Sequence, residues 1–283
     1  MTYVAGLYGI QITRPIKVWG LTFEPITNDH QQAEKLARDL DLYHLTATVS
    51  GVSLDPELCS KLEAVLSFIE HLDVLVSIPI QRIAVDESVT TLFPKSLATQ
   101  RRNSGGGAVV GVDTFFPHSR AKFIELALQH LSDDAFCNST KFNSLFFKCV
   151  ETFRQRRPFL DISYFLLYSG LESYARAVRE DRISKNSSEP IYQLLESYGF
   201  KVYLEKPSEL SRAISTYTHL RNALFHNSEF QATVPMNGLQ VQLNITEYFY
   251  NLSMLVSLTI MKAIQFDDGH INWDAWIDRQ LFK

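Results

Sequence analysis

The stretch Tyr217-Thr218-His219-Leu220-Arg221-Asn222-Ala223-Leu224-Phe225-His226 decides how the second half of this chain is read. With Ile214 ahead of it, the apolar positions Tyr217, Leu220, Leu224 and Phe225 recur at helical spacing, which predicts a helix with one face packed into a core. The polar residues must then face something else. Asn222 and His226 stand four apart on one face, and Arg221 beside them is long enough to converge on the same point. A histidine beside an arginine and an amide can handle a phosphodiester.

The surrounding sequence is helical in character from residue 119 onward. Segments 119–131 and 133–156 carry Phe123, Leu126, Ala127, Phe142, Leu145, Phe146 and Val150 at helical spacings. Pro158 then starts a long helix with Tyr164, Phe165, Leu167, Tyr168, Leu171 and Tyr174 on its core side and Arg176, Arg179, Arg182 and Lys185 at its end. A short helix, 191–198, stops at Gly199, the motif helix runs over 207–226, and 245–264 is a last bundle helix. Between these two lies an irregular or hairpin-like excursion, 231–243, containing Pro235 and Asn237-Gly238.

The N-terminal part has a different texture. Segments 3–13 and 16–26 are rich in β-branched and aromatic residues and are separated by Arg14-Pro15, which predicts an opening hairpin. A polar helix follows over 29–41, then a half-buried strand over 43–49, then a helix capped by Asp55 with Pro56 in its first position. Strand-like pieces occupy 74–85 and 108–113. The fold class is therefore α+β: a mixed α/β domain over residues 1–115 and an all-α helical bundle over 116–283.

Composition bounds what such a chain can do. Its 283 residues are 46% hydrophobic, ample for a sizeable core, and the formal net charge of -4 confines any nucleic-acid contact to a local cleft. The three cysteines form no CxxC pair, which suits buried thiols of a reducing compartment, and no apolar run reads as a membrane span, so the expectation is a cytoplasmic protein. The loop 99–107 combines glycines with Arg101 and Arg102 but lacks the Lys-Ser/Thr of a Walker motif and does not fit GxGxxG. His30, His44, His71, His118, His130 and His270 show no metal-ligand spacing, and no nucleophile elbow is present, so neither a metal nor a cofactor is expected.

The long helix bearing Leu171-Glu172, followed by the late helix with Arg221-Asn222-Ala223-Leu224-Phe225-His226, resembles the HEPN superfamily, whose motif is an arginine, usually a polar residue next, and a histidine after four to six positions. The likeness covers roughly residues 119–283 and is most similar to the ApeA-like branch, in which an N-terminal α/β region precedes the bundle. It implies a metal-independent endoribonuclease that works as a homodimer, with two copies of the motif facing each other, in defence or toxin-like growth arrest. His226 would serve as base toward a ribose 2′-hydroxyl or acid toward the leaving oxygen, Arg221 would stabilise the phosphorane, and Asn222 would orient His226 or donate to phosphate. The products expected are a 2′,3′-cyclic phosphate and a 5′-hydroxyl. The alternative within the same resemblance is a non-catalytic module that binds a nucleotide, RNA or a protein. A regulatory partner or ligand would act through the N-terminal domain.

Other polar residues have plainer readings. Glu172 braces Arg221 or a helix terminus, and His219, with its different helical facing, is a surface or packing histidine. Arg176 and Arg179 share a face with Arg182, and together with Arg101 and Arg102 they are the candidate RNA contacts, although Glu180 and Asp181 interrupt the ridge.

Overall fold

In the computed structural model, which describes residues 1–82, 89–101, 107–155, 159–236 and 238–283, strand β1 (Tyr3–Tyr8) does not pair with the segment that follows it. The expected opening hairpin is replaced by two separate pairings. Segment 16–26 folds back on itself as β2 (Ile16–Val18) and β3 (Leu21–Pro25), because Trp19 and Gly20 both take left-handed backbone, with φ of 53° and 74°. Two consecutive positive-φ residues make the tight turn whose twist suits a hairpin. β1 instead pairs antiparallel with β4 (Tyr43–Gly51), running from Tyr3 opposite Gly51 to Tyr8 opposite Leu45.

The sheet order is β2-β3-β4-β1-β5, where β5 is Leu75–Val76; β6 (Ile80–Gln81) also pairs with β1, and β7 (Ser96–Leu97) with β4. All of β1 after Tyr3 is buried, as befits a central strand covered on both faces. One face holds Val4, Tyr8, Tyr43, Leu45 and Phe93. Helices α1 (His30–Ala37) and α2 (Pro56–Glu70) start as the sequence predicts: Asp29 accepts from the Gln32 amide and Asp55 from the Leu58 amide, with Pro56 in the first turn. Segment 108–113, expected as a strand, is irregular; the Val109 amide donates to the carbonyl of Ile69.

Two compact units emerge: Met1–Ser132 with Phe153–Pro158, and Asp133–Thr152 with Phe159–Lys283. Helix α3 (Ser119–Leu131), read from sequence as the start of the bundle, thus belongs to the first unit, and the boundary expected at 115/116 moves past it. The reason is a buried ionic knot. Arg120, fully buried, donates to Glu70 Oε1 at 2.6 Å and to the Gln11 carbonyl, while Arg38 meets Glu70 Oε2 at 3.2 Å and the Gln11 amide donates to Oε1 at 2.9 Å. Burial alone would raise the Glu70 carboxyl; the two arginines and the Gln11 amide outweigh it and hold it below the usual range. Phe123 of α3 stacks on Phe68 at 5.1 Å beside this knot.

His71 closes α2 in left-handed backbone, φ 50°, with its ring stacked on Phe153 at 4.2 Å. Burial, helped by the charge of Arg38, lowers its pKa from 6.5 to about 3. The unfolded chain therefore takes up a proton below 6.5 that the folded chain refuses. The contribution to stability is complete above the unfolded value and is lost as pH falls toward about 3, at up to about 1.4 kcal/mol per pH unit. His71→Asn, which tolerates left-handed backbone, should flatten the acid limb of stability in denaturant titrations run from neutral pH downward. An unchanged slope would refute this assignment.

The second unit comprises α4 (Asp134–Thr140), most of α5 (Phe142–Arg154), α6 (Leu160–Val178), α7 (Ser188–Ser197), α8 (Ile214–Asn227), the hairpin β8 (Gln231–Met236) and β9 (Leu239–Asn244), α9 (Ile245–Ala263) and α10 (Ala275–Asp278). The single helix expected over 133–156 is broken at Lys141, whose left-handed φ of 63° ends α4. α8 begins seven residues later than 207, because the amides of Ile214 and Ser215 are already bonded to the carbonyls of Tyr203 and Leu204. Those bonds satisfy its first turn without a preceding helical one. α6 packs against α4, α7, α8 and α9, and most of α9 is buried. Among the described residues no helix is long and apolar enough to cross a membrane.

Candidate functional site

α8 is held in place by tyrosines of α6. The Tyr164 hydroxyl donates to the Tyr217 carbonyl at 2.9 Å, one turn before Arg221. Tyr168 shares a hydrogen bond of 2.7 Å with Thr218, which also meets Ser188 at 2.6 Å. These buried bonds fix the rotation of α8 about its axis, and burial raises the Tyr164 and Tyr168 hydroxyls above the usual tyrosine value. The helix stops at Ser228, left-handed at φ 56°, whose amide returns to Leu224 while that of Glu229 returns to Ala223. His226 consequently sits in the last turn, just before the chain enters β8.

Arg221 donates from Nη1 to Asn222 Oδ1 at 2.9 Å, and its Nη2 lies 3.8 Å from Glu172 Oε2. Its guanidinium also stands 5.3 Å from the Phe225 ring and 5.8 Å from that of Tyr168. Glu172 is shared with Arg176, which donates to Oε1 at 2.9 Å, so one carboxylate positions two guanidinium groups. Arg221 remains 28% exposed at its side chain, enough to reach a ligand. Phe225 is 52% exposed and packs against the Phe165 ring in a tilted arrangement, with centroids 4.9 Å apart.

On the neighbouring face of α8, His219, Asn222 and His226 line an open groove of about 800 Å³ whose opposite wall includes Gln231 and Thr233 of β8 and Gln242 of β9. Glu229 lines it too. Asn222 thus touches both features, accepting from Arg221 and facing the groove with His226. His219, which sequence reading sets apart from the motif, belongs to this groove; positions 219, 222 and 226 recur at helical spacing, and that regularity is the signal that finds it.

The other arginines fare differently as RNA contacts. Arg101 is a correction: only 3% exposed, it donates to the backbone carbonyls of Asp73 at 2.8 Å, Gly9 at 2.7 Å and Ala37, so it clamps the first unit and has nothing to offer a nucleic acid. Gly9, at φ +90°, leaves room for it; a Cβ there would meet the guanidinium at 2.6 Å. Arg102 and most of its glycine loop lie outside the described residues. Arg176 is tied to Glu172, Asp181 and the Ser184 carbonyl, whereas Arg179 is exposed at the end of α6.

All three cysteines are buried, and thiol chemistry is disfavoured at two of them: burial pushes Cys59 up to about 11 and Cys149 up to about 12, far from thiolate at neutral pH. Among the described residues no group of three or more His, Cys, Asp or Glu side chains is arranged to hold a metal ion. Comparison with protein-family models, with curated proteins and with solved structures yields no match.

Proposed function

We propose that the second unit is a HEPN-type endoribonuclease that cleaves RNA by attack of a 2′-hydroxyl, at a site completed by a second copy of the chain. The observation that carries this reading is the arrangement on α8: Arg221 bonded to Asn222, and Asn222 lining the groove that His226 also lines. His226 removes the 2′-hydroxyl proton or delivers one to the departing 5′-oxygen. Arg221 balances the charge that gathers on the phosphorane oxygens, and Asn222 holds the guanidinium in register. The amides of Gln231 and Gln242 and the Thr233 hydroxyl offer neutral contacts to bases or ribose along the groove.

Helical geometry supports the composite site. Five residues of α-helix turn through about 140° beyond a full revolution, so Arg221 and His226 of one chain diverge around α8 and a second copy is needed to oppose them. The exposed Phe225, which stands beside Arg221, its neighbour Phe165 and the 48% exposed Ile162 supply apolar surface for such an association. Phe225→Asp should convert the dimer to monomer in analytical ultracentrifugation and reduce cleavage in parallel. A variant that stays dimeric and active removes Phe225 from the interface; a wild-type chain that is monomeric yet fully active rejects the composite site.

A further inference from the structure

A second pocket, of about 380 Å³, lies in the first unit where the approach to β2 meets the start of α3, and Arg14, Lys17, Asp113, His118 and Ala121 line it. Its size falls within the range of small-ligand sites. Asp113 is 7% exposed, and its Oδ2 is buried without a hydrogen-bond partner. A carboxylate oxygen left unbonded away from water is costly, so the site is incomplete as it stands. Burial raises the Asp113 pKa against the pull of Arg120, Arg14 and His118.

The other wall of the pocket is electropositive. His118 holds the cap position of α3 and its side chain caps none of the first-turn amides of this 13-residue helix, although the Ser119 amide donates to the Phe116 carbonyl. Such a terminus attracts anions. Arg14 and Lys17 are exposed and have no ion-pair partner among the described residues. One end of the pocket therefore asks for an anion, and Asp113 asks for a hydrogen-bond donor.

We propose that this pocket binds a phosphate monoester of nucleoside-monophosphate size, its phosphate set at the start of α3 between Arg14, Lys17 and His118 and a sugar hydroxyl donating to Asp113. None of these residues belongs to the α8 motif, so the proposal stands or falls apart from the ribonuclease reading. It makes the first unit a receptor for a small phosphorylated ligand.

The test is calorimetric titration of the full chain with AMP, GMP, CMP, UMP, ribose 5-phosphate and inorganic phosphate. At least one sugar phosphate should bind about 10-fold more tightly than inorganic phosphate, the margin a charge-assisted hydroxyl contact supplies. Asp113→Asn should erase that margin. The double variant Arg14→Ala/Lys17→Ala, at exposed positions that leave the core intact, should weaken every one of these ligands by about 10-fold or more. Absence of saturable binding by the wild-type chain at millimolar concentration, or wild-type affinity in the double variant, overturns the proposal. Should Asp113→Asn fail to fold, the double variant decides.

Discussion

His226→Ala should lower the rate of RNA cleavage by about 10²–10⁴-fold, the usual share of a general acid or base, while far-ultraviolet circular dichroism and the oligomeric state stay as in the wild type. The fold should survive because His226 is exposed at the end of α8 and packs no core. Arg221→Ala should cost about 10²–10³-fold, as removal of a group that balances transition-state charge does. Its loss leaves Glu172 still paired with Arg176, so no buried charge is stranded. Arg221→Lys should recover little, since a point charge cannot bond Asn222 and hold the phosphorane in the same geometry. Cleavage at the wild-type rate in either alanine variant would eliminate α8 as the site. Binding of RNA by the wild-type protein without cleavage would select the non-catalytic module instead.

The largest effect on stability is expected at Glu70. Glu70→Ala removes the acceptor that Arg120, Arg38 and the Gln11 amide share. Arg120 is fully buried, and one of its nitrogens, Nη2, already lacks a hydrogen-bond partner, so its charge would keep hydrogen bonds to backbone carbonyls only, with the Asp113 carboxyl as its remaining opposite charge. Breaking a buried pair from one side typically costs about 3–5 kcal/mol. Glu70→Gln, which keeps an acceptor for the Gln11 amide, should cost less. Urea unfolding measures both, and a loss below about 1 kcal/mol for the alanine variant would mean that the knot contributes little net stability.

Local signals in the sequence translated well where the physics is local. Asp29, Asp55 and Pro56 announce helix starts because a short polar side chain and a fixed φ act within one turn. Of the two readings of segment 231–243, irregular or hairpin-like, the structure shows the hairpin, with Gln231 opposite Asn244 and Met236 opposite Leu239. What sequence reading missed depends on partners far along the chain. β1 meets β4 across some forty residues of sequence, and no local pattern distinguishes that pairing from a hairpin with 16–26. Arg101 looks like a loop cation until Gly9, Ala37 and Asp73 converge on it.

The same distinction runs through the candidate site. Arg221, Asn222 and His226 lie within six residues on one helix, which is why the sequence suggests that they converge; the structure bonds Arg221 to Asn222 and lines the groove with Asn222 and His226, without Arg221. His219, read as a surface or packing histidine, lines the same groove, and its spacing from Asn222 and His226 carries that information. The hairpin wall with Gln231, Thr233 and Gln242 is a tertiary feature with no signature in the motif. The buried orphan at Asp113 is likewise invisible without knowing what surrounds it.

Cleavage at α8 is tested most directly by incubating the purified wild-type chain with single-stranded RNA in EDTA and identifying the newly formed ends. The wild-type chain should yield fragments carrying 2′,3′-cyclic phosphate and 5′-hydroxyl termini, and the His226→Ala protein none. Intact RNA, or fragments that the His226→Ala protein produces equally well, would contradict cleavage at α8.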